Sequence, residues 1–316
     1  MFGPTASGKS AMLFSLVERI PQCDFEVISA DSRQVYRRFD IGTAKPDRET
    51  LARIPHHLID IVDGYESFDV GQFVAACDEL VPEIQRRGNV ALISGGTAFY
   101  LQAYLFGLPE APPSDPQIRA VLEAELAQDG LPTLRARLSD VDPVADERIA
   151  ANDAYRVLRA LEVYRLTGHP LSSYPVPDTV RQGIEPLVIG LYRERSDLYH
   201  RINQRVTEMM AAGLADEVAH LIESGYTGDE PGFRSIGYRE FPELAGKPPW
   251  SVETLRRVEA EIARNSRRYA KRQELFFRRL PLVHWVPAHE PAAVAELIGS
   301  SRGGTADCHR DPAGYP

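Results

Sequence analysis

Cysteine is scarce in this chain. Cys23, Cys77 and Cys308 are scattered and odd in number, so neither a disulfide framework nor a Cys-based metal site is indicated. No apolar run approaches the ~18 residues that a membrane-spanning helix needs. The N-terminus also lacks the charged-then-apolar layout of a secretory signal. These absences predict a cytoplasmic protein with no membrane partner. No internal repeat is visible, and no N-K-x-D guanine signature occurs, which weighs against a nucleotide-dependent regulatory switch. Positive charge is in deficit as well: 36 Lys plus Arg stand against 45 Asp plus Glu, a net charge of −9. Taken alone, that deficit argues against a nucleic-acid partner.

The deficit is unevenly spread. Residues 1–233 carry 22 basic and 35 acidic side chains, whereas residues 234–280 carry 12 basic and 6 acidic. One short, strongly positive stretch sits on an acidic body. The 316 residues, 43% hydrophobic and 26% charged, are enough for roughly two domains or one core with an insertion. The first hundred residues alternate between strand and helix patterns: Phe25–Ala30, a weaker strand over 57–62, a helix over 70–87, and a buried-strand run at 90–94. That alternation predicts a parallel sheet flanked by helices. Two Pro-rich stretches, 108–113 and 170–186, bracket a region with helical spacing and no strand. It reads as an all-helical insertion, with a helix from Ala154 that starts at Asn152 or Asp153 and stops at Gly168. Strand character returns at 187–191, helices follow at about 197–224 and 252–280, and a short run covers 283–286. The expected organisation is a core over 1–107, the insertion over 108–186, the core again over 187–287, and a tail over 288–316 that is disordered from about 301.

The chemistry begins at Gly3-Pro4-Thr5-Ala6-Ser7-Gly8-Lys9-Ser10, which matches G-x-x-x-x-G-K-[ST]. The glycines let successive backbone N–H groups curl around a phosphate oxygen, and the following helix presents its positive end to the same anion. Lys9 adds a cation, and the Ser10 hydroxyl can ligate Mg²⁺. The fold class expected is therefore α/β, P-loop NTPase-like. Asp31 lies just past an apolar strand, where an open parallel sheet has its ligand crevice. Its residue type leaves two roles open, holding Mg²⁺ through water or acting as general base. Gly95-Gly96-Thr97 follows another strand and supplies a second turn that permits close approach. His56-His57 tempts a metal reading, but adjacent strand side chains point to opposite faces, so a structural role is expected.

Together these residues resemble one family, the bacterial tRNA dimethylallyltransferases (tRNA isopentenyltransferases). The resemblance rests on the P-loop, on Ser29-Ala30-Asp31-Ser32-Arg33-Gln34-Val35-Tyr36, and on Asp40-Ile41-Gly42-Thr43-Ala44-Lys45-Pro46. It continues through 55–60, Gly95-Gly96-Thr97, Asn152-Asp153 with Arg156 and Arg159, Gly237-Tyr238-Arg239 and Lys271-Arg272-Gln273. It implies transfer of a dimethylallyl group from dimethylallyl diphosphate to N6 of the adenosine 3′ of the anticodon. On that reading the P-loop binds diphosphate, Asp31 is the general base, and Thr97 orients the amine or the diphosphate. Mg²⁺ is the expected cofactor, and the target base must flip out of its stack. Members carry a short apolar strand before the loop, and only Met1 and Phe2 precede it here. The first sheet strand is thus expected to be missing, with the natural chain beginning upstream.

The resemblance also implies contacts to the tRNA anticodon stem-loop by a monomer. They fall at Asp31, Ser32, Arg33, Gln34 and Thr97, at Arg119, and at Tyr155, Arg156, Val157, Leu158 and Arg159. Further contacts are expected at Arg234, Ser235, Ile236, Gly237, Tyr238 and Arg239, and across Lys271, Arg272, Gln273, Glu274, Leu275, Phe276, Phe277 and Arg278. Helical spacing independently puts Arg257, Arg264, Arg268, Lys271 and Arg278 on one face, opposite Leu255, Val258, Ile262, Tyr269, Phe276 and Leu280. Leu275 alone breaks the pattern. The competing readings are an ATP-dependent small-molecule kinase and a prenyltransferase acting on free AMP. Neither would need the basic helix or the insertion.

Overall fold

Phe25–Ala30 is buried along its whole length, Glu26 and Ser29 included, as an interior parallel strand is. It forms β1. On one side it pairs in parallel with β2 (His56–His57), and on the other with β3 (Val90–Gly95). A second parallel pair joins β4 (Val188–Tyr192) to β5 (Val283–Pro287). Between the two stands Phe2, with isolated parallel bridges to Gly95 and Gly190. Its N–H donates to Ile189 O at 2.9 Å and its carbonyl accepts from Leu191 N at 2.7 Å. The spatial order is therefore β2-β1-β3-Phe2-β4-β5, and one residue holds the central place. Its ring packs on Phe277 at 4.4 Å and edge-on to Trp285 at 5.6 Å.

This computed structural model describes residues 1–302. The helices are α1 (Lys9–Arg19), α2 (Arg48–Arg53), α3 (Val70–Arg86), α4 (Ala98–Phe106), α5 (Pro116–Val141), α6 (Pro143–Arg148) and α7 (Ala154–Thr167). After the insertion come α8 (Arg195–Ala211), α9 (Leu214–Glu223), α10 (Glu240–Leu244), α11 (Val252–Phe277) and α12 (Pro291–Arg302). Local chemistry explains the ends. Asp69 and Gln72 close a capping box at the start of α3, and α7 runs from an Asp153 cap to Gly168 in the left-handed region.

Several elements differ from the sequence expectation. The strand expected over 57–62 ends at His57, because Leu58 and Asp60 adopt positive φ and turn the chain. The helix expected over 197–224 divides at Gly213, φ 96°. The two helical stretches expected over 115–128 and 132–138 are the two halves of α5, kinked at Gly130 with φ 78° and ψ 161°. Ser301 and Arg302, counted with the tail, close α12. The rest of the segment expected to be disordered lies outside the described residues.

The chain forms two compact units, one of residues 1–105 and 183–302, the other of residues 106–182. The second is all-helical around Leu122, Leu134, Leu138, Val157 and Leu161. In the first, one core packs Leu13, Leu16, Val27, Ile189 and Val294. Another gathers Phe39, Phe233, Tyr238, Phe241 and Ile262.

Candidate active site

The P-loop leaves Phe2 and turns through two left-handed residues, Ala6 (φ 61°) and Gly8 (φ 106°), before α1 begins. Gly3 is irreplaceable on packing grounds, since a Cβ there would lie 2.8 Å from Leu191 O. Lys9 Nζ donates to Gly3 O at 2.9 Å and Pro4 O at 3.1 Å. Burial lowers its ammonium to about 8, with Asp31 pulling the other way and Arg205 adding to the fall. Three arginines at or on α8 reach the same loop. Arg193 Nε donates to Ser7 O at 2.6 Å, Arg201 Nε to Ala6 O at 3.1 Å, and Arg205 Nη1 to Thr5 Oγ1 at 3.3 Å. Sequence reading missed all three. Their only signal was the four-residue spacing of Arg201 and Arg205 beside apolar Leu198, Ile202 and Val206, and Asp197 and Glu208 on the same helix hid it.

Asp31 sits at the mouth of β1. Its Oδ1 accepts from Arg33 N at 2.9 Å, an Asx turn that fixes the carboxylate. Thr97 locks the neighbouring turn: its Oγ1 accepts from Ser32 N at 2.9 Å, and its own N–H donates to Ala30 O at 3.0 Å. Tyr269, on α11, lines the same crevice as Asp31. Burial first, then the Asp31 charge, pushes its phenol up to about 12. Gln34 Nε2 donates to Ala44 O at 3.1 Å, and its Oε1 accepts from Ser29 Oγ. The D-S-R-Q segment thereby holds the 40–46 loop. That loop meets the Gly237-Tyr238 segment directly. Gly42 N donates to the Tyr238 hydroxyl at 3.0 Å, and the hydroxyl donates to Glu217 Oε1 at 2.5 Å. Two sequence blocks almost 200 residues apart form one wall.

The P-loop, the Asp31–Gln34 segment, the loop at 42–44 and α8 border a cavity of about 790 Å³, whose lining does not include Thr97 or Tyr238. The loop residues Thr5, Lys9 and Ser10, then Asp31, Gly96, Tyr269 and Gln273 line it, with Arg33, Arg201, Arg205, Arg234, Arg239 and Arg272. So many cations against two carboxylates, Asp31 and Glu208, suit a polyanion. Ser10 is exposed beside Lys9, and among the described residues no cluster of three or more His, Cys, Asp or Glu is placed to hold a metal ion. Residues of this kind fit a Mg²⁺ shared between one hydroxyl and phosphate oxygens, not an all-protein cage.

The segments expected to touch tRNA divide sharply by burial. On α11, Arg257, Arg264, Arg268, Lys271, Arg272 and Leu275 are exposed, whereas Gln273, Glu274 and Phe277 are buried. The stripe of α11 facing the core runs through Val258, Ile262, Ala270, Gln273 and Phe277, so it turns away from Phe276, which is half-buried. Ser235 and Tyr238 are likewise buried, while Arg234 lies exposed and Arg239 half-buried. In the helical unit, Val157 and Leu158 belong to the core. Tyr155 is 70% exposed, and the Arg119 guanidinium lies 5.0 Å from its ring centroid. Arg156 pairs with Asp153 at 2.7 Å, and Arg159 bonds Glu162 at 3.1 Å and Pro112 O. Buried members of these segments hold their exposed neighbours in place and offer no surface themselves. The paired histidines are structural: His57 Nε2 bonds Glu26 at 2.7 Å, and Arg87 and Asn89 bond the same carboxylate.

A glycine-rich anion loop, a fixed carboxylate and an arginine-rich cavity at the ends of parallel strands define a phosphate-handling enzyme of the P-loop class. The family described as IPP transferase matches residues 34–280. Over 288 residues the chain is 43% identical to the tRNA dimethylallyltransferase of Geobacter sulfurreducens, covering 90% of this chain and 89% of that one. To the tRNA dimethylallyltransferase of Methylibium petroleiphilum it is 42% identical, over 95% and 92% respectively. Among solved structures, the full-length tRNA isopentenylpyrophosphate transferase of Bacillus halodurans superposes with a TM-score of 0.65 at 38% identity, over 95% and 94%. A eukaryotic dimethylallyltransferase, caught acting on tRNA, shares the fold at a TM-score of 0.79 and 24% identity, over 99% and 80%. The chain belongs to the IPP transferase family, and it is a prenyl-transferring enzyme.

Proposed function

We propose that this enzyme transfers the dimethylallyl group of dimethylallyl diphosphate to N6 of the adenosine immediately 3′ of a tRNA anticodon. The observation that carries the reading is the single cavity in which the P-loop with Lys9 and the carboxylate of Asp31 face the same space. The N6 amine attacks the allylic carbon, the C–O bond to diphosphate breaks, and diphosphate leaves with the electron pair. Asp31 takes the amine proton, which offsets the poor nucleophilicity of a nitrogen conjugated into its ring. The loop amides, Lys9, Arg201 and Arg205 stabilise the charge that grows on the leaving group. Mg²⁺, held by Ser10 and the diphosphate, would supply further charge neutralisation. Thr97, bonded to Ser32 N, keeps the turn that carries Asp31 in register.

The adenine reaches Asp31 by leaving its stack. The anticodon stem-loop is the proposed tRNA element, read by the exposed arginines of α11 and, in the helical unit, by Tyr155, Arg156 and Arg119. A monomer working in the cytoplasm completes the reading. Among the described residues no helix is long and apolar enough to cross a membrane.

The test is prenyl transfer from dimethylallyl diphosphate to a tRNA transcript, with Asp31→Ala alongside. Asp31→Ala should abolish transfer and leave tRNA affinity within a few fold. Lost binding with unchanged turnover would make Asp31 a positioning residue instead. A thermal shift with ATP and none with dimethylallyl diphosphate would favour the kinase reading.

A further inference from the structure

Helix α11 carries more than its basic outer face. One side chain on its buried stripe spans the two halves of the site. Gln273 Oε1 accepts the backbone N–H of Thr5, inside the P-loop, at 2.9 Å. Its Nε2 donates to the carbonyl of Gly96, the residue before Thr97, at 2.7 Å. Gln273 is 4% exposed; its bond to Gly96 is buried and its bond to Thr5 part-buried, so losing it orphans the Gly96 carbonyl and frees the Thr5 N–H. The fit is close: a Cβ on Gly96 would meet Nε2 at 2.5 Å. One turn earlier, Tyr269 lines the cavity that holds Asp31. One turn later, Phe277 stacks on Phe2, which leads into the loop.

A primary amide is the side chain for this task. It presents one acceptor and two donors in a plane, whereas the gap offers one N–H and one C=O. A hydrophobic side chain of the same length would fill the space and satisfy neither group. A carboxylate would satisfy Thr5 but set oxygen against oxygen at Gly96.

We infer that Gln273 is a positioning residue, which sets the separation between the loop that holds the leaving diphosphate and the turn that carries Thr97 beside Asp31. This rests on the prenyl-transfer reading above and adds the element that aligns its two reacting partners. The chain of contacts is continuous: Thr5 to Gln273, Gln273 to Gly96, and Thr97 to Ser32 next to Asp31. Transfer is sensitive to that distance, because nucleophile and allylic carbon react only from a narrow range of approach. Each substrate, by contrast, is bound by groups on one side of the bridge. The expected signature of losing Gln273 is therefore a slow chemical step with nearly normal substrate affinities.

The experiment compares wild type, Gln273→Met and Gln273→Glu in single-turnover prenyl transfer, with KM for dimethylallyl diphosphate and for tRNA measured in parallel. Gln273→Met should slow the single-turnover rate at least 30-fold while both KM values stay within about threefold. Gln273→Glu adds a readout that simple packing would not move. A neutral carboxylic acid again offers an O–H to Gly96 and a C=O to Thr5, so its rate relative to wild type should climb as pH falls. The Met variant's relative rate should stay flat. If Gln273→Met does not fold, the pH trend of Gln273→Glu carries the test alone.

A Met variant that keeps the wild-type rate overturns the inference, as does a Glu variant whose relative rate ignores pH. So does a Met variant in which only a KM changes. A wild-type chain that transfers no prenyl group overturns the prenyl-transfer reading itself. A transferring wild type with unaffected variants overturns the role of Gln273 alone.

Discussion

If Lys9 holds the diphosphate as proposed, substrate binding should weaken as pH rises through 8. Its ammonium is enclosed by the loop, donates to Gly3 O and Pro4 O, and is lowered to about 8, chiefly by burial. In the free protein it therefore loses its proton as pH rises through 8, far earlier than an ordinary lysine. A neutral amine neither attracts a diphosphate nor donates three hydrogen bonds. If only the protonated form binds, the affinity for dimethylallyl diphosphate should be about tenfold weaker at pH 9 than at pH 7. Most of that loss should fall above pH 8. The substrate adds little titration of its own in that window, because a phosphate's second ionisation has its midpoint near pH 6 and is about 90% complete at pH 7. Isothermal titration at pH 7, 8, 8.5 and 9 measures the trend, and proton uptake on binding should peak near pH 8 to 9. Lys9→Arg is the control: a guanidinium keeps its charge throughout, so its affinity, even if lower overall, should not fall with pH. Flat affinity to pH 9 in the wild type, or an equal fall in Lys9→Arg, would refute the reasoning.

Other outcomes follow from parts of the structure outside the loop. Arg268→Ala and Lys271→Ala should weaken tRNA binding across sequences and each lower the salt dependence by about one unit of log–log slope; unchanged slopes would rule out phosphate contact. Gly42→Ala drives a methyl to within 2.4 Å of the buried Tyr238 ring. It should cost about 1–3 kcal/mol, read as a lowered urea midpoint, and Tyr238→Leu in the same chain should recover part of that loss. Glu26 is held at about 2 by hydrogen bonds from Arg87, then Asn89 and His57. A depressed carboxyl contributes stability that is full above pH 4.5 and disappears as pH falls towards 2. Glu26→Gln should therefore be less stable by on the order of 1–2 kcal/mol at pH 7, allowing for solvent screening. That gap should close below pH 4.5, and a gap independent of pH would refute the ion-pair account.

What was legible in the sequence was local. The P-loop, Asp31 at the end of an apolar strand, and Gly-Gly-Thr after another each announce themselves within ten residues, because turn chemistry and strand ends are short-range. The cap and stop of α7 were readable for the same reason. The arginines of α8 were not, since Arg201 and Arg205 act on Ala6 and Thr5, nearly 200 positions away. On α11 the hydrophobic pattern pointed one residue astray at its end. Gln273 and Glu274 occupy the buried stripe where apolar residues would mark it, and the eye moves to Phe276 instead of Phe277. Polarity inside a core is invisible to periodicity when a distant backbone group supplies its partner. The strand expected after His57 failed for another reason. Leu58 adopts left-handed backbone that leucine rarely advertises, and Asp60, a residue type that tolerates it, follows two positions on.

The single bridging residue Phe2 gives the sheet an unusual mechanical character. Between β3 and β4 the ladder runs through the backbone of Phe2, with hydrogen bonds to Ile189 and Leu191, and its ring is set against Phe277 and Trp285. It is the rivet that fastens the three-stranded β2-β1-β3 group to the β4-β5 pair at the root of the anion loop. A strain in either group that reaches this rivet is felt at once by Gly3, its covalent neighbour.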